Sequence, residues 1–223
     1  MEESCFVMHR IAEEIRAYHD LTKRHGGRAA TVGGMELFCP EGEMPPTNSV
    51  TSCLVDVVSH LSGDVALDLG CGIGVLALAM AAGFRRVVGV DCSARAVACA
   101  RENATRNSVR NVSFICGHGY QPLGGQKFTL IVCNPPFYPP GDWGPAGRLL
   151  CEQSGGRSLI ESLISGAREH LSQDGTLIFV TSSLSQNRKI EELLNLKALV
   201  FQRELLRKGK PISQDLYLWT VAQ

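Results

Sequence analysis

A run of about 18 consecutive apolar residues, the length that a membrane-spanning helix needs, is missing from this sequence. A surplus of either charge is missing too, because 22 lysine and arginine residues balance 22 aspartate and glutamate residues. The first residues, MEESCFVMHR, lack the cationic and then apolar order of a secretory signal peptide. We therefore expect a cytoplasmic protein without a membrane span. A long nucleic-acid partner is disfavoured, since affinity for such a backbone comes largely from phosphate neutralisation.

Cysteine pairs with metal-binding spacing are also lacking. The nine cysteines are scattered along the chain, and no C-x-x-C pair occurs. Several of them lie inside apolar segments, such as Cys116 and Cys133, where a thiol acts as a small hydrophobic group. We therefore expect reduced, structural cysteines and no metal site.

The rest of the composition is that of a globular protein, with 44% of the 223 residues hydrophobic and 20% charged. The segment FVMHRIAEEIRAYHDL has one apolar stripe and predicts a helix. Glycines and prolines follow it, with a possible short strand at MELF and otherwise loop before a second helix, SVTSCLVDVVSHL. We therefore predict a helical and loop extension over residues 1–62 and a single α/β domain over residues 63–223.

Strands and helices alternate after Asp64. The apolar segments VALDL, RVVGVD, VSFIC, FTLIVC and TLIFVTS predict strands, and amphipathic segments between them predict helices. Two last strand segments, ALVFQRELLRK and DLYLWTVA, have no helix between them and should pair as an antiparallel hairpin. The pattern predicts a doubly wound, mostly parallel sheet with helices on both faces.

A glycine turn follows the first of these strands, with Gly70, Gly72 and Gly74 placed where a ligand could approach a helix N-terminus. Asp68, just before them, disfavours a pyrophosphate and suits a ligand that carries an ammonium group. Asp91 ends the next strand, where a carboxylate can bind both ribose hydroxyls. The glycines alone are also compatible with a tight turn, and Asp91 with a helix cap, a role that the nearby Ser93 can perform.

The segment DLGCGIG, followed at this distance by GVD, resembles the class I S-adenosylmethionine-dependent methyltransferases. The resemblance covers Val65 to about Thr181, and the C-terminal strand pair in pattern. It implies a Rossmann-like sheet of seven strands, S-adenosylmethionine as cofactor and S-adenosylhomocysteine as product. The extension over residues 1–62 would cover the active site, and Thr47 or Thr51 could touch the cofactor carboxylate. The cofactor-binding residues that it implies are Asp68, Gly70, Cys71, Gly72, Gly74, Asp91, Cys92, His118, Gly119 and Asn134.

Asn134-Pro135-Pro136-Phe137 looks like the (N/D)-P-P-(Y/F) motif of methyltransferases that alkylate nitrogen on a planar group. Such a nitrogen is a poor nucleophile because its lone pair is delocalised. The Asn134 side-chain oxygen and the Pro135 carbonyl can each accept one N–H, and the prolines fix both acceptors in advance. Phe137 can stack on the planar group. These four residues are the predicted catalytic residues.

Within this group, GHGYQPLGGQKFTLIVCNPPF resembles the release-factor glutamine methyltransferases most closely. The chain departs from that family at His118, which replaces an aspartate that binds the adenine amino group, and at Gly119, which replaces a common aromatic residue. Only about 60 residues precede the cofactor domain, so the family's separate helical substrate domain is not expected. Tyr138, Trp143 and Glu152, in the long segment after the motif, are candidate substrate contacts.

Four functions fit these features. An N-methyltransferase acting on a small molecule, a metabolite or natural-product intermediate, suits a compact neutral chain and is our first expectation. A protein glutamine N5-methyltransferase is the alternative that the family resemblance implies. An enzyme acting on an RNA or DNA base fits the motif but not the charge. A non-catalytic cofactor-binding subunit is disfavoured by the intact Asn134–Phe137 motif. The sequence does not indicate an oligomeric state.

Overall fold

A computed structural model describes residues 2–25, 27–47, 49–139, 158–209 and 214–223 of the chain. Trp143 and Glu152 therefore lie outside the described residues. The N-terminal part forms a helix, a two-stranded antiparallel hairpin and a second helix, in the order α1 (Glu2–His25), β1 (Arg28–Val32), β2 (Met35–Cys39) and α2 (Ser49–Val58). The sequence indicated only the second hairpin strand.

The α/β part begins at Gly63. Its elements are β3 (Gly63–Leu69), α3 (Val75–Met80), β4 (Phe84–Asp91), α4 (Ala94–Arg106), β5 (Val112–Cys116), a short 3₁₀ turn (Gln121–Leu123), β6 (Phe128–Cys133), α5 (Leu159–His170), β7 (Leu171–Ser182), α6 (Asn187–Leu196), β8 (Val200–Arg207) and β9 (Leu216–Ala222).

Seven strands form one sheet in the order β5-β4-β3-β6-β7-β9-β8. Neighbouring strands from β5 to β7 are parallel, whereas β9 runs antiparallel to both β7 and β8. The connections run from β3 toward one edge and from β6 toward the other, so right-handed crossovers place α3 and α4 on one face and α5 on the other. This architecture confirms the predicted fold class, including the C-terminal antiparallel hairpin.

The order of the strands determines where in the sheet a binding crevice forms. The chain leaves β3 for β4 on one side and later returns to β6 on the other side of β3, which creates a crevice at the carboxyl ends of these strands. The sheet interior on which this edge rests is apolar and tightly packed. Trp219 on β9 is fully buried, stacks on Phe179 of β7 at 5.5 Å between ring centroids, and donates its Nε1–H to Thr181 Oγ1 at 2.8 Å.

The N-terminal hairpin is attached to α4 by two asparagine side chains one helical turn apart. Asn103 accepts from the Phe38 backbone N at 2.8 Å and donates to the Phe38 carbonyl at 3.0 Å. Asn107 makes the same pair of bonds with Glu36, at 2.9 and 2.8 Å. The two amides thus act toward β2 as a neighbouring strand would. They fix the hairpin, and with it the segment after β2, beside the carboxyl end of β4.

Among the described residues, no helix is both long and apolar enough to cross a membrane. The cysteines whose bonding state the structure describes are free thiols, and several of them are buried in the core. No group of three or more histidine, cysteine, aspartate or glutamate side chains in the described part could hold a metal ion.

Candidate active site

A cavity of about 940 Å³ lies at the carboxyl ends of β3, β4, β5 and β6, within the size range of ligand pockets. The start of α2, the segment after β2 and one face of α5 complete its walls. Nine of the ten residues predicted for the cofactor line it, namely Asp68, Gly70, Cys71, Gly72, Asp91, Cys92, His118, Gly119 and Asn134. The sheet topology thus brings together residues that are up to 66 positions apart (134 − 68) in the sequence.

Gly74 is the exception, because it does not line the cavity. It precedes α3 with a φ of +90°, and a Cβ there would lie 2.9 Å from the Phe114 ring and 3.1 Å from Ala100 Cβ. This glycine therefore allows the turn to pack against β5 and α4. Gly72, in contrast, has a φ of +52° and would place a Cβ in empty space, so it is the glycine that leaves room for a ligand.

Asp68 on β3 is the most deeply buried carboxylate of the cavity, with 1% of its surface exposed. Its Oδ2 accepts from the Ala77 backbone N at 2.9 Å, while Oδ1 is buried without a partner among the described residues. Burial, together with the nearby negative charge of Asp91, raises the pKa of Asp68 to about 7 against the opposing effect of the Ala77 hydrogen bond. A buried acceptor without a donor indicates a site for a ligand that brings N–H groups.

Asp91, at the end of β4, is held by two backbone donors. Its Oδ2 accepts from Gly72 N and its Oδ1 from Ser93 N, both at 2.8 Å. A carboxylate offers about four acceptor positions, so each oxygen can still accept one hydroxyl. The cap of α4 is Ser93, whose Oγ accepts from Ala96 N at 3.1 Å. Asp91 therefore remains available to a ligand.

Asn134 follows β6 and reaches the cavity together with Pro136. Its Nδ2 donates to Thr51 Oγ1 on α2 at 3.4 Å. This bond orients the amide, so that Oδ1 is the atom available to accept from a substrate. Thr51 is 5% exposed and also lines the cavity. The sequence suggested Thr51 as a contact of the cofactor carboxylate, whereas the structure adds a contact with Asn134.

Phe137 and Tyr138 are 6% and 2% exposed, pack edge to face at 4.9 Å between ring centroids, and do not line the cavity. Pro135 is buried beside them and is likewise outside the cavity lining. The Tyr138 hydroxyl accepts from Gln214 Nε2. Both rings belong to the apolar core behind the motif. The predicted stacking of Phe137 on a substrate and the predicted substrate contact of Tyr138 stay predictions.

Tyr120 also lines the cavity, next to Gly119, and sequence analysis did not select it. Its ring stacks on His170 at 4.3 Å and occupies the space that a Cβ at Gly166 would need, 2.5 Å away. Its hydroxyl donates to the Leu163 carbonyl at 3.1 Å. The Tyr120 ring thus points toward α5, where Gly166 leaves the space that the ring occupies.

The chain is similar to known methyltransferases. The family model of the methyltransferase small domain matches residues 47–210. A release factor glutamine methyltransferase of Aliivibrio fischeri is 34% identical over 169 residues, which cover 67% of this chain and 59% of that protein. A Methanocaldococcus jannaschii protein, provisionally named a protein N5-glutamine methyltransferase, is 31% identical over 182 residues. The match covers 79% of this chain and 89% of that protein.

Among solved structures, a ribosomal protein L11 methylase from Lactobacillus delbrueckii subsp. bulgaricus superposes with a TM-score of 0.58. It is 23% identical, with 78% of each chain covered, and this likeness shows the shared fold.

The match to the Aliivibrio fischeri release factor glutamine methyltransferase spans less than two thirds of that relative's own length.

Proposed function

The chain belongs to the methyltransferase small domain family, and we propose that it transfers the methyl group of S-adenosylmethionine to the side-chain amide nitrogen of a protein glutamine. The observation that carries the proposal is the Asn134 amide, oriented by Thr51 in the same cavity as Asp68 and Asp91. One cavity therefore contains a hydrogen-bond acceptor for a planar nitrogen. It also contains two carboxylates that suit a nucleoside with an amino-acid tail.

The cavity fits S-adenosylmethionine at both ends. Asp68 Oδ1, which has no hydrogen-bond partner in the described part of the chain, suits the ammonium group of its methionine part, and Gly72 leaves space beside the turn. Asp91 has acceptor positions for ribose hydroxyls, and Cys92 and His118 lie beyond it for the adenine. When bound, this cofactor supplies a methyl group on a positively charged sulfur.

The residues of the chain prepare the substrate nitrogen. An amide nitrogen has its lone pair delocalised into the carbonyl group and is therefore a poor nucleophile. Asn134 Oδ1 would accept one N–H, which localises the lone pair and directs it. The second acceptor that the sequence predicts, the Pro135 carbonyl, belongs to a residue outside the cavity lining, so the proposal rests on Asn134. The Thr51 bond and the two prolines fix the Asn134 acceptor before the substrate arrives, so little reorganisation is needed. No strong base is required, because the nitrogen becomes acidic once it carries a fourth substituent.

The substrate assignment rests on the relatives. Both reported sequence relatives carry names that specify glutamine as the methylated residue. They support the protein glutamine alternative, whereas the small-molecule substrate that we expected from the compact, neutral chain finds no support among them. A glutamine side chain presents the planar amide that the Asn134 site requires.

Methyl transfer from isotope-labelled S-adenosylmethionine to a purified bacterial release factor tests the proposal, with mass spectrometry to identify the modified residue. We expect Asn134→Ala to lower kcat by about 100-fold or more, the usual effect of removing one preorganised polar group. Calorimetry should show that the variant still binds S-adenosylhomocysteine.

Asn195→Ala is the matched control, because Asn195 is exposed on α6 and does not line the cavity. Its rate should equal that of the wild type. A near wild-type rate for Asn134→Ala would contradict the mechanism. Methylation of a small metabolite, with no transfer to any protein, would contradict the substrate assignment while leaving the mechanism intact.

A further inference from the structure

The segment between β2 and α2 forms one wall of the cavity on the side of Asp91. Four of its residues, Glu43, Met44, Pro45 and Pro46, line the cavity. The segment is anchored where it leaves β2, since the Glu43 backbone N donates to the Pro40 carbonyl at 3.2 Å and the Cys39 thiol contacts the Met44 carbonyl at 3.4 Å. Because Asn103 and Asn107 fix β2 itself, this wall has a defined position relative to α4.

Glu43 is the ionisable side chain among the four described residues of this segment that line the cavity, and it lies close to Asp91. Its Oε1 accepts from Ser93 Oγ at 3.2 Å, and the backbone N of the same serine donates to Asp91 Oδ1 at 2.8 Å. One residue therefore contacts both carboxylates, and both carboxylates line the cavity. Burial raises the pKa of Glu43 and the charge of Asp91 adds to this effect, while the hydrogen bond from Ser93 and the charge of Arg95 oppose it.

Two neighbouring carboxylates in a partly buried place repel each other, and such an arrangement is unfavourable unless donors satisfy both groups. Ser93 supplies one donor to each, which leaves acceptor capacity on both carboxylates facing the cavity. A ligand that presents two hydroxyl donors side by side would satisfy both at once. A ribose with unmodified 2′ and 3′ hydroxyls has this chemistry.

We propose that Glu43 is a second ribose-binding residue, which accepts a hydrogen bond from one ribose hydroxyl of the cofactor while Asp91 accepts from the other. The inference rests on the proposed function, because the ribose belongs to S-adenosylmethionine. It assigns the β2–α2 segment to the cofactor site rather than to the substrate. It also gives the site selectivity, since two carboxylates repel a nucleoside that carries a phosphate on its 2′ or 3′ oxygen.

Glu43→Gln tests the inference by titration calorimetry with S-adenosylhomocysteine and its 2′-deoxy and 3′-deoxy analogues. The amide keeps the shape of the side chain and an acceptor for Ser93 but removes the charge. We expect binding of S-adenosylhomocysteine to weaken roughly tenfold, because hydrogen bonds to charged groups are about twice as strong as neutral ones. With one of the two deoxy analogues, the difference between variant and wild type should nearly vanish.

Glu41→Gln is the matched control, since Glu41 lies in the same segment but is exposed and does not line the cavity. It should bind all three ligands as the wild type does. Equal affinity of Glu43→Gln and wild type for every ligand would overturn the inference. An equal loss for all three ligands would also overturn it, because Glu43 would then only hold the segment in place. Absence of S-adenosylhomocysteine binding to the wild type would instead overturn the proposed function.

Discussion

The Asp68 carboxylate is 1% exposed, and one of its oxygens has no donor among the residues that the structure describes, so it lowers the stability of the ligand-free protein whenever it is ionised. Because the pKa of Asp68 is raised from 3.8 to about 7 in the folded state, the folded protein binds more protons than the unfolded chain between these values. Protonated Asp68 avoids this penalty, so the free energy of unfolding receives its full contribution below about pH 4. That contribution is lost as the pH rises through about 7. Asp68 is a site where function opposes stability.

Asp68→Asn should therefore stabilise the ligand-free protein at pH 8, by about 1 to 2 kcal/mol in the free energy of unfolding by urea. The gain should shrink at pH 5, where the wild-type carboxyl is largely protonated. Calorimetry should show that the same variant loses most of its affinity for S-adenosylhomocysteine, because an amide cannot balance an ammonium group.

Asp56→Asn is the control for this residue, since Asp56 is exposed on α2. Its effect should stay within about 0.5 kcal/mol at both pH values. A destabilised Asp68→Asn protein at pH 8, or unchanged cofactor affinity, would show that the buried carboxylate does not have the role assigned to it.

At the scale of elements, a polar chain connects the motif after β6 to two distant parts of the fold. Gln214, which precedes β9 and is 8% exposed, donates to the Tyr138 hydroxyl and also hydrogen-bonds the Glu14 carboxylate on α1. Burial raises the pKa of Glu14, while Arg10 and Arg207 oppose that effect. The residue after the motif is therefore anchored to α1 and β9 by buried hydrogen bonds.

Tyr138→Phe should lower the free energy of unfolding by about 1 to 2 kcal/mol, because it removes the Tyr138 acceptor of the buried Gln214 amide. Since Tyr138 does not line the cavity, calorimetry should show unchanged affinity for S-adenosylhomocysteine. The rate of methyl transfer should fall, because the Asn134 acceptor is then less firmly held.

Tyr217→Phe on β9 serves as the comparison, since the contact of its ring with the Arg203 guanidinium survives the change. It should behave like the wild type in stability and in rate. If Tyr138→Phe kept both full stability and full rate, the anchoring role of the chain from Glu14 to Tyr138 would be excluded.

At the scale of the whole molecule, the family match and the fold confirm the resemblance to class I methyltransferases. The family and the fold do not identify the substrate, because one sheet architecture serves enzymes that methylate many different substrates. The balance of 22 basic and 22 acidic residues disfavours an RNA substrate, since RNA-binding surfaces gain most of their affinity from positive charge.

Fluorescence anisotropy with labelled transfer RNA should accordingly show no saturable binding below about 10 μM protein at physiological salt, weaker than many non-specific nucleic-acid binders. Lowering the salt concentration should raise the affinity only slightly. Tight binding with a steep salt dependence would favour an RNA substrate over the protein glutamine. The same labelled RNA with a basic nucleic-acid-binding protein provides the positive control.

The sequence by itself determined the order of strands and helices after Asp64, the turn around Gly72, and the placement of Asp68, Asp91 and Asn134 at strand ends. These features follow from hydrophobic periodicity and backbone sterics, which act over a few residues and are visible in a short window. The parallel arrangement of β3, β4 and β6 then brings their carboxyl ends together without further information.

Only the tertiary structure decided which other residues share the cavity with Asp68, Asp91 and Asn134. Glu43 meets Ser93 across 50 positions of the sequence, and Thr51 meets Asn134 across 83. It also showed that Gly74 serves packing and that the ring of Phe137 belongs to the core. Such contacts depend on how the hairpin docks on α4 and on which side of a strand end faces inward. Both are set by packing between segments far apart in the chain, which leaves no periodic signal in the sequence.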